Sequence, residues 1–229
     1  MDDNDDGKTI LDKLDQVVKI YTSCGKLNQA AIWQRQVYDY LESRRGDTLV
    51  IVHCMHQMGI TLCSMQKFEE AATWAQKVFD YFQKMNFRRD RDIAALNLCL
   101  YLLGADDEHA WRSYYRIAKT GLPLTFHQHI QLVKALGLRR GFLDEAEEHL
   151  KALWEMWDIL GQEQLLLVQM TSRMAWMYAA REDLGKSLHY YQLEVHGYEK
   201  LGQPDNVPGS TVSQIARLRN LVGSTARKS

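Results

Sequence analysis

Phe68-Glu69-Glu70-Ala71-Ala72, with Met58-Gly59 and Leu62 before it and Val78-Phe79 after it, is the stretch that decides the fold. A small residue sits early in an apolar helical pattern, and a short polar turn, Met65-Gln66-Lys67, separates it from the helix before. Ala71 has counterparts on both sides. Ala30, Ala71, Ala110, Ala146 and Ser187 follow one another at steps of 41, 39, 36 and 41 residues. Three positions before each stands Leu27, Phe68, Asp107, Leu143 or Leu184, and Asp107 is the departure. Nine before stands Tyr21, Leu62, Tyr101, Gly137 or Tyr178, and seven after stands Val37, Val78, Ile117, Leu153 or Glu194.

One supersecondary unit is therefore used five times. A first helix (A) ends near an aromatic or large residue, a turn follows, and a second helix (B) opens on a small residue. An Ala or Ser at that point lets two helix backbones approach closely. In these features the sequence resembles the tetratricopeptide repeat (TPR) family, with the second unit and Gly141-Phe142-Leu143-Asp144-Glu145-Ala146 of the fourth carrying the likeness best. The family's period is about 34 residues. The longer steps here and the missing Pro after helix B imply longer helices, as in extended-repeat branches of the family. The resemblance covers residues 11–201 and implies an all-α fold: a right-handed α-α superhelix, or solenoid, of five TPR-like helix-turn-helix repeats plus a C-terminal capping helix.

The expected units are 11–45, 47–87, 91–121, 125–160 and 163–201 within a repeat region of 11–202. Gly46 followed by Asp47-Thr48 reads as a helix stop and a new N-cap, and Pro123 with Thr125 opens the fourth unit. The acidic segment at residues 1–10 reads as disordered. After the Gly- and Pro-containing loop from Gly202 to Gly209, Val212, Ile215, Leu218 and Leu221 fall on one helical face, which predicts a capping helix at 210–223. Repeats of this kind bury their apolar faces only by stacking, so the ends need covering.

Of the 229 residues, 46% are hydrophobic and 25% charged, with 28 basic against 29 acidic. Such a balance gives no electrostatic drive toward nucleic acid or an anionic membrane. No apolar run is long enough to span a bilayer, and an acidic start is not a signal peptide. Cys24, Cys54, Cys63 and Cys99 are scattered without a CxxC, in apolar helical patterns where a thiol acts as a small hydrophobe. The expectation is a cytoplasmic protein, with the nucleus as the other reducing compartment.

Catalytic signatures are missing: there is no GxSxG, Walker A, HExxH or dinucleotide fingerprint. Glu69-Glu70 and Asp144-Glu145 open B helices, where acidic residues complement the dipole. The sequence therefore predicts no enzyme and no cofactor. His53 and His56, three apart, supply two imidazoles near Cys54 and Cys63, but a metal site needs three or four converging ligands, so no metal is assigned. Basic pairs at Arg44-Arg45 and Arg88-Arg89 lie at repeat junctions, where they can serve helix C-termini or bind an acidic group. Of six tryptophans, most sit at core spacing; Trp176 is the exception, predicted to face the groove near Arg173.

The resemblance implies a concave groove lined by A helices, and the candidate partner-binding set is His53, His56, Gln57, Arg139, Arg173 and Trp176. A TPR subclass that clamps the acidic tail of heat-shock chaperones uses Lys and Asn on the first A helix, Asn on the second, and Lys and Arg on the third. Here those places hold Asp15 and Lys19, Gln57, and Asp92 and Leu96; Lys19 alone fits, so this clamp is not implied. The expected function is a scaffold or adaptor that holds a peptide or partner protein in the groove, with no nucleic-acid or membrane partner. One alternative is a constitutive subunit of a homodimer or hetero-complex that uses an outer face or the final helix. The other is a signalling-peptide sensor.

Overall fold

The computed structural model describes residues 3–44, 48–107, 109–121, 123–137 and 140–225. Among them every long element is an α-helix, and sequential helices pack in antiparallel pairs. The chain divides into two compact units, with the boundary after Pro123. The first holds α1 (Asp3–Ser23), α2 (Leu27–Ser43), α3 (Thr48–Ser64), α4 (Phe68–Lys84), α5 (Arg88–Gly104) and α6 (Ala110–Gly121). The second holds α7 (Phe126–Leu136), α8 (Leu143–Glu155), α9 (Gln164–Ala180), α10 (Leu184–Lys200) and α11 (Gly209–Thr225).

In the first unit each A helix ends in the same way. Gly25, Gln66 and Asp106 take left-handed backbone conformations, with φ of 69°, 61° and 61°. The next amide reaches back to a carbonyl five residues earlier: Lys26 N–H to Tyr21 O at 2.8 Å, Lys67 to Leu62 at 2.9 Å, and Asp107 to Leu102 at 3.1 Å. This closure satisfies carbonyls that the helix end would leave bare and reverses the chain into helix B.

These turns correct the register of the third repeat. Leu102, not Tyr101, is the counterpart of Leu62, and the residue five after the left-handed turn is Trp111, not Ala110. Trp111 is fully buried, whereas Ala110 is half-buried. The alignment on small residues slipped by one because Ala110 happens to precede the true contact position. Asp107 is no failed apolar position either: its carboxylate accepts from the backbone N–H groups of His109 and Ala110 at 3.3 and 3.0 Å, opening α6.

Repeats stack through aromatic contacts between B helices. Trp74 of α4 meets Tyr38 of α2 edge-on at 4.8 Å, and Phe79 meets Tyr114 of α6 at 5.2 Å. Gly104 admits the ring of Phe68, since a Cβ there would fall 2.4 Å from its Cδ1.

The second unit is held by a buried carboxylate and a docked terminal helix. Glu147 of α8 accepts from Lys186 at 2.7 Å, from Lys151 at 2.8 Å and from the Tyr178 hydroxyl. Helix α11 packs on α10 through Ile215 and Leu218, and Thr211 donates to the buried Glu194 at 3.0 Å. Val212 and Leu221, expected on the docked face, are 56% and 39% exposed. The helix is rotated so that Thr211 satisfies Glu194, because a buried carboxylate without a donor costs more than an exposed valine.

Other expectations change. Helix α1 begins at Asp3, so residues 3–10, read as disordered, are helical; acidic stretches are also what a helix N-terminus prefers. Met1, Asp2 and the predicted stop and cap at Arg45-Gly46-Asp47 lie outside the described residues. Arg88 and Arg89 start α5 and do not end α4. Trp74, Trp111 and Trp157 are buried as core residues, but Trp33 is 46% exposed. Cys24 is exposed just beyond α1, whereas Cys54 and Cys99 are buried as expected.

Candidate functional site

The helical spacing of His53 and His56 places both on the side of α3 that looks toward its neighbouring A helices. His53 Nε2 lies 3.4 Å from Asp15 Oδ1 on α1, and His56 Nε2 lies 3.0 Å from Asn97 Nδ2 on α5. The two histidines thus tie three successive A helices along one surface of the first unit.

Both line a cavity of about 270 Å³ between α3, α4 and α5. Val52, Val78, Phe82 and Ile93 make it apolar, and the His56–Asn97 pair and Asp90 provide its polar groups. Burial, followed by the nearby His53, pushes the His56 pKa down. A neutral His56 ring accepts the Asn97 amide N–H at Nε2 and keeps its own proton on Nδ1. The cavity is thus mostly apolar, with His53, the His56–Asn97 pair and Asp90 as its polar lining.

Gln57 does not join this pocket. It faces α1 in a second concavity of about 450 Å³, together with Asp15, Lys19 and Ile60. The chaperone-clamp comparison also changes with the corrected register: Asp92 and Leu96 are buried, and α5 shows Ile93 and Asn97 to the pocket instead.

The remaining candidates belong to the second unit. Arg173 and Trp176 are both exposed on α9, and Trp176 is 60% exposed. With Leu165 and Gln169 they form a stripe at helical spacing along that helix. Arg139 lies outside the described residues.

Sequence reasoning missed Asn97, Ile93 and Phe82. The slip in the third repeat hid the first two; once α5 is aligned by its turn, Asn97 becomes the counterpart of Gln57. A further pair it did not foresee is His129 and His149, whose Nδ1 atoms are 2.9 Å apart between α7 and α8.

Among the described residues no cluster of three or more His, Cys, Asp or Glu is disposed to hold a metal, and no helix is long and apolar enough to cross a membrane. Burial raises the Cys54 and Cys99 thiols to about 11 and about 12, so both stay protonated and unreactive at neutral pH.

Residues 51–85, which span most of α3 and all of α4, match the model of the tetratricopeptide repeat. The match falls on the repeat that decides the fold and supports membership of the chain in that family. No curated protein matches the chain. Tetratricopeptide repeats are typically non-catalytic and serve in protein–protein interaction, the role that this repeat suggests.

Proposed function

We propose that this tetratricopeptide-repeat protein is an adaptor whose first unit binds an apolar anchor residue of a partner segment in the α3–α4–α5 pocket. The observation that carries the reading is the His56–Asn97 hydrogen bond at the rim of an apolar cavity. Its oriented amide and imidazole offer a donor and an acceptor to a peptide backbone, while Ile93 and Phe82 receive the side chain. His53, held to Asp15, extends the contact toward α1, and Gln57 serves the adjoining concavity. Arg173 and Trp176 form a separate contact patch on the second unit, where an exposed Trp beside an Arg has the composition of a binding hot spot.

Peptide display against the purified chain tests this. Selected peptides should share a large apolar anchor and lose about tenfold or more in affinity to Ile93→Lys, which puts a charge into the pocket. Peptides that depend on the α9 patch should instead be lost by Arg173→Ala with Trp176→Ala. Ligands that bind both variants as well as the parent would remove these assignments.

The second reading, a constitutive subunit of an assembly, is favoured by a different observation: the apolar residues left uncovered on α1 and α2.

A further inference from the structure

Helix α3 lines two cavities with one pattern used twice. Leu49, Val52, His53 and His56 line the α3–α4–α5 cavity, and Gln57, Ile60, Thr61 and Ser64 line the concavity against α1. The second set is the first moved on by eight residues. Such a step carries the chain about 12 Å along a helix and about 80° around it. The first cavity therefore lies beside the N-terminal half of α3 on its α5 side, and the second beside the C-terminal half on its α1 side. They share a rim: Asp15 lines the second, His53 lines the first, and Asp15 Oδ1 is 3.4 Å from His53 Nε2.

The linings differ in chemistry. The first is mostly apolar. In the second, Val18 and Ile60 supply an apolar wall, while Asp15 and Lys19 bring one charge of each sign. A charged side chain of either sign entering there meets a like charge as well as an opposite one. A neutral side chain with an apolar body and a hydrogen-bonding end matches this lining, and tyrosine is the largest of that kind. Between the cavities stands Gln57, half-buried, whose side-chain amide makes no hydrogen bond among the described residues. That amide has both donors and an acceptor to offer. An extended chain passing over it carries unpaired backbone N–H and C=O groups, whereas a helix satisfies those groups internally.

We infer that one extended segment of a partner protein crosses α3 diagonally. It seats a large apolar residue in the α3–α4–α5 cavity and a neutral, polar-ended residue such as tyrosine in the α1–α3 concavity, with Gln57 hydrogen-bonded to its backbone between them. An offset of about 12 Å along a helix about 10 Å wide puts the two anchors about 15 Å apart. An extended chain covers that in four or five residues at about 3.3 Å each. A helix, at about 1.5 Å each, needs about ten. The inference rests on the pocket reading of the first unit and adds to it the second anchor, the conformation of the segment and the spacing; the α9 patch takes no part.

A displayed peptide library with leucine fixed at its centre and the flanking positions random, selected on the full chain, tests the inference. Selected peptides should enrich tyrosine or another neutral, polar-ended residue four or five positions from the leucine, on one side only. A synthetic peptide of that consensus should lose about tenfold in affinity to Ile60→Glu, and about tenfold when its tyrosine is replaced by alanine, with little further loss when the two changes are combined. Ile60 is 40% exposed, so circular dichroism should show Ile60→Glu with unchanged helicity. Gln57→Ala should cost about threefold, the loss of one hydrogen bond. Binding that is abolished by Ile93→Lys but untouched by Ile60→Glu, or enrichment about ten positions from the leucine as a helix requires, would overturn the crossing and leave the pocket standing. A library that yields no binder, or binders indifferent to Ile93→Lys, would remove the pocket and the crossing together.

Discussion

Helices α2 and α4 carry a tryptophan at the same place in their repeats, and the two side chains have opposite surroundings. Trp74 has Tyr38 edge-on against it, with Arg35 and Lys77 over its ring at 5.3 and 4.4 Å. Among the described residues no helix lies over Trp33 as α2 lies over Trp74, and it is 46% exposed. Repeat position thus decides which residue type is present, and the neighbouring repeat decides what that residue contributes. In a stacked array a core residue becomes a surface residue by losing one neighbour, with no change in its own helix.

The largest effect expected from this comparison is on stability. Trp74→Ala should cost about 3–5 kcal/mol, the range for truncating a buried tryptophan. Trp33→Ala should cost under about 1 kcal/mol when measured on monomer, because an exposed side chain leaves no cavity. Urea unfolding at low protein concentration reads both. Equal costs would mean that α2 does not provide the burial of Trp74.

Much of this contrast lies beyond what a sequence alone carries. The repeat was legible because Ala30 and Ala71, Leu27 and Phe68, and Tyr21 and Leu62 recur in phase, and the same interval relates Trp33 to Trp74. Equal spacing predicts equal environment, and Trp33 departs from it for a tertiary reason: coverage comes from a neighbouring helix pair. The third repeat misled for a different reason. A small residue marks the closest helix contact in most units, but Trp111 occupies that place while Ala110 sits beside it. The left-handed turn at Asp106 fixes the register, and a non-glycine residue there gives no signal in composition. That slip also hid Asn97, so the pocket was legible only on its α3 side, through the spacing of His53 and His56. The exposure of Trp176 was readable, because a tryptophan two residues before Tyr178 falls off the buried stripe of α9.

The C-terminal end gives the middle-sized test. Here the covering helix is present, and a polar pair, Thr211 with Glu194, fixes its rotation. Thr211→Val keeps the shape but leaves the Glu194 carboxylate short of a donor, and should cost about 1–3 kcal/mol. Val212→Thr, one residue on, should stay within about 0.5 kcal/mol, since Val212 is 56% exposed. The reverse ranking in thermal or urea unfolding would restore the face expected from the apolar pattern and remove Thr211 from the contact.

The smallest expected effect concerns pH, and it separates the histidines from the carboxylates by sign and window. Burial, then His53, lowers the His56 pKa, and burial lowers that of His129 against the opposing pull of Glu148. In the unfolded chain both rings take a proton near the ordinary value of about 6.5. The unfolded state therefore binds more protons below that value, and stability falls as pH drops from about 7 through the depressed folded values. Glu147 acts lower. Burial alone would raise its pKa, but hydrogen bonds from Lys151, Lys186 and Tyr178 outweigh it and bring it to about 2. Its contribution is complete above about 4.5 and fades only as pH falls below that. Glu194 has the opposite sign: burial raises its pKa, so its titration removes stability as pH rises. A loss of stability between about pH 7 and 5 is thus a histidine signal. His56→Gln should make the urea midpoint less sensitive to pH in that window, and combining it with His129→Gln should reduce the dependence further. An undiminished slope in the double variant would show that neither ring is held neutral by its pocket, and with it would go the Asn97-to-His56 hydrogen bond on which the proposed binding site rests.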